Sequence, residues 1–207
     1  MTASSHTMVG EPGTGTGAVP QPESGAFLAT WIVVGIASGL GLTYGLAVMH
    51  DGTIVDGTTT LTPATAVGVA ALCYLAAAAT TTRWVAWLGV PVFSGLAFAG
   101  LLVPLPWWAL FGLVAAVLLV VGRLVGAGRV TAVQGAALFG FFGIAVLALH
   151  LAPRAGLALA GAVLAAHALW DIRHYRHDIV VDRSMAIFCI GLDVTVGALC
   201  VVLAIVS

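Results

Sequence analysis

The sequence predicts an all-α integral membrane protein built as a bundle of seven transmembrane helices. The first observation is its composition, with 61% hydrophobic residues, 7% charged residues and a mean hydropathy of +1.13 over 207 residues. An ordinary soluble domain has about 25% charged residues. The second is that seven apolar segments have about the length that a membrane span requires, which is about 17 to 25 residues. The third is that glycine or proline separates most of these segments.

The chain divides into two parts. Residues 1–25 are rich in Gly, Thr, Ser and Pro and contain no apolar run, which predicts a disordered cytoplasmic tail. Residues 26–207 are expected to form the seven-helix transmembrane domain. The predicted helices cover residues 26–49, 62–80, 84–103, 107–122, 130–151, 155–172 and 184–206. The residues expected to break the helices are Pro63, Pro104, Pro106, Gly126, Gly128 and Pro153.

The arginines predict the orientation of the bundle in a membrane. Short connections make neighbouring helices antiparallel, so alternate connections lie on the same side. Six arginines fall in the second, fourth and sixth connections, and only Arg154 falls on the opposite side. By the positive-inside rule the amino terminus is cytoplasmic and the carboxy terminus lies outside. The expected location is the cell membrane, with multiple passes through the lipid bilayer.

The composition also excludes several functions. A formal net charge of -1 and scattered arginines provide no basic surface for phosphates, so a nucleic-acid partner is not expected. Lysine is absent, so no Schiff base to retinal can form despite the seven predicted helices. The three cysteines, Cys73, Cys189 and Cys200, lie in apolar runs without a CxxC pair, which disfavours a zinc ribbon or a disulfide framework.

A polar stripe marks the last two helices. His167, Asp171, His174 and Asp178 recur at helical spacing and therefore share one face of the sixth segment. Asp193 lies on the seventh segment, about 15 Å from the start of that helix at 1.5 Å per residue. An ionised aspartate at the centre of a span costs about 2.5 to 3.5 kcal/mol, so Asp193 must face protein or water and have a partner or a proton.

These residues predict a site in the cytoplasmic half of helices 6 and 7. The four-residue spacing of His167 and Asp171 places both side chains within reach of one ion. His174 could be a third ligand and Asp193 a fourth, a set that suits a divalent transition metal such as zinc, iron or manganese. His167 lies six residues before Arg173, and Cys189 lies six residues after Arg183. At 1.5 Å per residue the two side chains are therefore expected at the same depth in the bundle. Tyr74 and Gln134 are expected to hydrogen-bond into the site.

Other roles for the same residues remain open from sequence. The carboxylate of Asp171 could orient His167 as a general base, with Asp193 as a buried acid, which would make His167, Asp171 and Asp193 catalytic. The group could equally be a cluster of ion pairs and hydrogen bonds that caps two helix ends.

The first segment carries a packing pattern. It contains two small-xxx-small repeats, at Gly35 and Gly39 and at Gly41 and Gly45, which predict close approach to another helix.

The segment His-Ala-Leu-Trp-Asp at 167 to 171, followed by Phe188-Cys189 and Asp193, resembles a known pattern. It is similar to a group of small uncharacterised prokaryotic polytopic membrane proteins that carry His-x-x-Trp-Asp before Phe-Cys-x-x-x-Asp. The resemblance implies a shared site in the last two helices and supplies no reaction. In size, helix count and buried acids the chain also resembles the seven-helix membrane terpene cyclases, although no motif carries residues over.

Three functions are therefore expected in order of preference. The first is an intramembrane enzyme that modifies a lipid or isoprenoid substrate by His/Asp acid-base or metal chemistry. The second is a proton-coupled transporter or channel with Asp193 and His167 as relay. The third is a non-catalytic membrane subunit. The sequence specifies no protein partner.

Overall fold

The computed structural model describes residues 23–49, 58–99 and 104–206, and within these ranges the chain forms seven α-helices. The helices are α1 (Gly25–Met49), α2 (Thr58–Thr80), α3 (Val85–Ala99), α4 (Trp107–Leu124), α5 (Gly128–Ala148), α6 (Pro153–His177) and α7 (Arg183–Val206). The predicted all-α class and the number of helices are confirmed. The predicted tail lies outside the described residues except for its last three positions.

Six of the seven helices are long and apolar enough to cross a membrane. The exception is α3, which has 15 residues and contains Pro91. Its predicted continuation to residue 103 falls on residues 100–103, which lie outside the described residues. The described helices therefore have the architecture of a membrane protein, with α3 described over 15 residues.

Two of the predicted helix boundaries differ from the structure by four residues or more, the start of α2 and the end of α6. Pro63 was expected to end a connection, but α2 begins at Thr58 and runs through this proline. A proline lacks only its own N–H, so this close to the helix start it removes one hydrogen bond to the first turn. At the other end of the chain, α6 continues to His177 instead of ending at residue 172. The basic residues in its last turn interact favourably with the negative end of the helix dipole, which favours this longer helix.

Helix α2 forms the centre of the bundle. It contacts α3, α4, α5, α6 and α7, and every residue from 67 to 79 is buried. Small side chains make this packing possible. Added side-chain atoms at Gly68 would lie 2.7 Å from the ring of Phe142 and 2.8 Å from that of Phe111. The side chains of α2 therefore face other helices on all sides.

Helices α6 and α7 form an antiparallel pair joined by residues 178–182. They are in close contact where Gly161 faces Gly197. A Cβ atom at Gly197 would lie 2.6 Å from the carbonyl oxygen of Gly161 and 2.7 Å from the amide nitrogen of Ala165. Because both obstacles are backbone atoms, only glycine fits at this position without moving a helix.

The first glycine repeat of α1 packs as predicted, against α7. A Cβ atom at Gly35 would collide with the carbonyl oxygen of Phe188, and one at Gly39 would lie 3.2 Å from the Thr195 side chain. The second repeat does not fit the prediction. Gly41 has no neighbouring atom within 4 Å, and the surroundings of Gly45 lie outside the described residues.

Candidate functional site

Three of the predicted site residues meet inside the bundle. The Nδ1 atom of His167 lies 2.9 Å from Oδ2 of Asp193 and 3.6 Å from Oδ2 of Asp171. All three side chains are at most 1% exposed. Each residue offers a potential metal ligand, and one ligand atom from each lies within 4.8 Å of the other two. No other group of this kind occurs among the residues that the structure describes.

Helix geometry explains why His167 and Asp193 meet. His167 lies ten residues before the end of α6 at His177, and Asp193 lies ten residues after the start of α7 at Arg183. At 1.5 Å per residue both are about 15 Å from the connecting segment. The sequence predicts Cys189 at the level of His167, which is wrong because the sixth helix continues five residues beyond its predicted end at residue 172. Cys189 is buried but is not part of the three-residue group.

Tyr74 of α2 holds the Asp171 carboxylate in place. Its hydroxyl donates a hydrogen bond of 2.7 Å to Oδ1 of Asp171, and both side chains are buried. The Tyr74 ring also packs in a T-shaped arrangement against the ring of His167, as does that of Phe141 of α5, with ring centroids 5.9 and 5.1 Å apart. The expectation that Tyr74 would hydrogen-bond into the site is confirmed. Phe141 gave no sequence signal, because an aromatic residue in a span is usually simple packing.

Two carboxylate oxygens of this group have no hydrogen-bond partner. Oδ2 of Asp171 and Oδ1 of Asp193 are buried and unpartnered in the described part of the chain. A buried carboxylate is costly unless a positive charge or hydrogen-bond donors surround it. Here two carboxylates share a single imidazole between them. The site therefore requires at least one additional proton or cation.

His174 lies outside the three-residue group and has its own partners. Its Nδ1 lies 2.7 Å from the backbone carbonyl of Trp170, so Nδ1 must donate. The indole of Trp170 donates to Oε1 of Gln134 at 3.1 Å, which fixes the orientation of that amide. The amide nitrogen of Gln134 then donates to Nε2 of His174 at 3.0 Å. This closed set of bonds specifies a neutral imidazole with both nitrogens occupied.

The His174 network has two consequences for the predicted site. Gln134 does hydrogen-bond to a predicted site residue, as expected. The ring nitrogens of His174 have no free lone pair for a metal in this arrangement. His174 was expected to be a third ligand, but it does not belong to the candidate centre. The role of Trp170, which both donates and accepts in this network, was not foreseen from the sequence.

Asp178 does not continue the polar stripe. It follows the last residue of α6 with a φ of 49°, which turns the chain away from the helix axis. Its carboxylate lies 2.7 Å from Arg83 of the segment between α2 and α3, and 3.6 Å from Arg183. Asp178 therefore forms ion pairs outside the polar stripe, with Arg83 as the nearer partner.

The chain matches no protein-family model, and neither the curated proteins nor the solved structures contain a significant match to it.

Proposed function

We propose that this chain is a multi-pass membrane protein in which His167, Asp171 and Asp193 bind one divalent transition-metal ion for chemistry on a lipid-soluble substrate. The observation that carries the proposal is the pair of unpartnered oxygens, Oδ2 of Asp171 and Oδ1 of Asp193, buried beside His167. A divalent cation supplies the positive charge that this group lacks. Zinc, iron and manganese all accept imidazole nitrogen and carboxylate oxygen together.

The number of ligands supports a reactive site in place of a closed structural one. Structural zinc sites have four protein ligands, whereas catalytic sites have three and leave a position for water or substrate. Tyr74 supports the ligand role of Asp171, because metal-bound carboxylates usually accept a further hydrogen bond that orients them. In this centre a bound metal would supply Lewis acidity, while Tyr74 and Asp171 hold the ligand geometry.

The location of the group supports a substrate from the membrane. All three side chains lie within helices of spanning length and are almost fully shielded from solvent. In the proposed orientation the amino terminus and the segment joining α6 to α7 face the cytoplasm. The basic ends of the helices support this, since Arg83, Arg173 and Arg183 lie at the same end of the bundle as Asp178. A lipid or isoprenoid would reach the site laterally, from the bilayer.

The metal content of the purified protein tests the proposal. We expect about one zinc, iron or manganese ion per chain by elemental mass spectrometry, as a three-ligand site implies. His167→Ala and Asp193→Asn should each lose most of it. His174→Ala is the matched control, because it removes a buried imidazole from the same helix and should retain the ion. A metal content unchanged by His167→Ala would refute the ligand assignment.

A second function, proton-coupled transport, is favoured by one further observation. Polar and aromatic groups are in contact from His174 through Tyr74, Asp171 and His167 to Asp193. Such a series could pass a proton into the bundle. In that case Asp193→Asn should remove pH-gradient-driven flux in liposomes while the protein remains folded. Undiminished flux in this variant would exclude the relay.

A further inference from the structure

A second feature of the molecule is a cavity of about 620 Å³ that contains none of the three candidate ligands. It lies where the ends of α2 and α6 meet the start of α5, at the end of the bundle that carries Arg83 and Asp178. Sites for small molecules commonly measure about 300 to 1,000 Å³. The cavity is therefore large enough for a headgroup together with part of a hydrocarbon chain.

Positive charge surrounds this cavity. Arg83, Arg129 and Arg173 line it, and none of the acidic residues in the described part of the chain does. Arg83 is held in place by its ion pair with Asp178. Arg129 and Arg173 belong to none of the ion pairs formed by the described residues. The guanidinium of Arg173 lies 6.0 Å from the centre of the Trp170 ring, which also lines the cavity. Two guanidinium groups are thus available to an anion.

The start of α5 adds to the positive potential. Ala127, Arg129 and Val130 line the cavity, and Ala127 provides no side-chain hydrogen bond to cap the helix. The first backbone N–H groups of a helix lack partners within it and carry the positive end of its dipole. Anions, phosphate above all, bind at such positions.

The remaining walls are mostly apolar. Ala77 and Ala78 of α2, Val130 and Val133 of α5, and Ile179 all line the cavity. A small hydrated anion gains nothing from such walls, whereas a hydrocarbon chain does. The combination of arginines and aliphatic side chains in one lining fits an amphiphile with an anionic head.

We propose that this cavity binds the phosphate headgroup of an anionic amphiphile. Arg129 and Arg173 hold the phosphate oxygens, because the guanidinium fork matches phosphate in two parallel hydrogen bonds. The apolar walls hold the first part of the hydrocarbon chain. The cavity adjoins the candidate metal centre through His174, which lines the cavity. The ring of His174 packs against that of Tyr74, with ring centroids 4.7 Å apart. Binding there does not require a metal ion at His167.

Binding can be measured with the full-length protein in a neutral detergent. The probes are dodecyl phosphate and inorganic phosphate, and the apparent Kd comes from the dependence of thermal stability on probe concentration. We expect dodecyl phosphate to bind at least about tenfold more tightly than inorganic phosphate. Arg129→Gln and Arg173→Gln should each lower the affinity for dodecyl phosphate by about tenfold, as expected for the loss of a hydrogen bond to a charged group. Arg173→Lys should lower this affinity less, because it keeps the positive charge.

The control is Arg154→Gln, an exposed arginine in the first turn of α6 at the opposite end of the bundle. Its affinity for dodecyl phosphate should equal that of the wild type. Equal weakening in all three glutamine variants would overturn the site, because it would indicate attraction to overall charge. Equal affinity for both probes would overturn the amphiphile as ligand. Repeating the titration after chelation separates this proposal from the metal centre, since the affinity should not change.

Discussion

His167 and Asp193 lie at the same depth on antiparallel helices, with Nδ1 and Oδ2 2.9 Å apart. The close packing of Gly161 against Gly197 brings the two backbones near enough for the contact. The candidate centre therefore depends on helix packing as much as on its polar residues.

Chelation is expected to change the stability of the wild-type protein and not that of Asp193→Asn. A metal that binds only the folded state stabilises it, so EDTA should lower the Tm of the wild type. Asp193→Asn lacks one ligand and should show no EDTA shift. In EDTA the variant should be at least as stable as the wild type, because Asp193→Asn replaces one of two adjacent buried carboxylates with a neutral amide. An equal EDTA shift in both proteins would contradict this.

Tyr74→Phe is expected to destabilise the protein by about 1 to 3 kcal/mol, the cost of leaving a buried acceptor unsatisfied. The substitution removes only the hydroxyl that donates to Asp171. It should also weaken metal binding by about 10- to 100-fold, as for the loss of other groups that orient a ligand. Unfolding followed by circular dichroism measures the first effect. Tyr175→Phe on the same helix as Asp171 is the control, because its hydroxyl takes part in none of the hydrogen bonds between described residues, and it should change stability by less than about 0.5 kcal/mol.

Gly197→Ala is expected to cost about 1 to 3 kcal/mol, because the added methyl group overpacks a helix contact. The obstacles are backbone atoms of Gly161 and Ala165, so α6 and α7 must separate. The variant should also lose metal, since separation lengthens the distance from His167 to Asp193. Gly140→Ala on α5 is the matched control, because no atom lies within 4 Å of its Cβ position. A Gly197→Ala protein as stable as this control would refute the packing argument.

Thr81→Gly is expected to stabilise the protein by roughly 1 kcal/mol. Thr81 follows the last residue of α2 with a φ of 53°, and the amides of Thr81 and Thr82 bond to the carbonyls of Ala78 and Ala77, respectively. This is the Schellman arrangement, in which the left-handed position is usually glycine. A β-branched residue there costs about 1 to 2 kcal/mol. The equivalent position after α4 is already a glycine, Gly126, with a φ of 82°.

The neighbouring Thr82→Gly provides the control for this substitution. Thr82 is not among the described residues with positive φ, so glycine gains nothing there and adds conformational freedom to the unfolded chain. The Tm should rise for Thr81→Gly and fall or stay unchanged for Thr82→Gly. A rise of equal size in both variants would show that the backbone angle is not responsible.

The sequence predicted the helices well because apolar length and glycine or proline punctuation are local signals. It also predicted the proximity of His167 and Asp171, since helical spacing fixes it. It missed the end of α6, because Arg173, His174, Arg176 and His177 have the polarity of a connection although they continue the helix. That error displaced Cys189 and Asp193 by one turn relative to His167.

Other features depended on contacts between distant segments. The sequence placed Arg83, Arg129 and Arg173 on one side of the bundle, but not around one cavity. It could not show that Gln134 and Trp170 occupy both nitrogens of His174. These relationships follow from how α2, α5 and α6 pack, and single-sequence periodicity carries no information about which helices are neighbours.

The central position of α2 has a consequence for how the protein is made. Ribosomes release this helix second, yet five of the helices around it are synthesised later. The Tyr74 hydroxyl must wait for an acceptor that lies 97 residues further along the chain. The polar centre is thus completed only near the end of translation, once α6 and α7 have been synthesised. A chain that lacks these two helices would retain the Tyr74 hydroxyl without its acceptor and α2 without two of its packing partners.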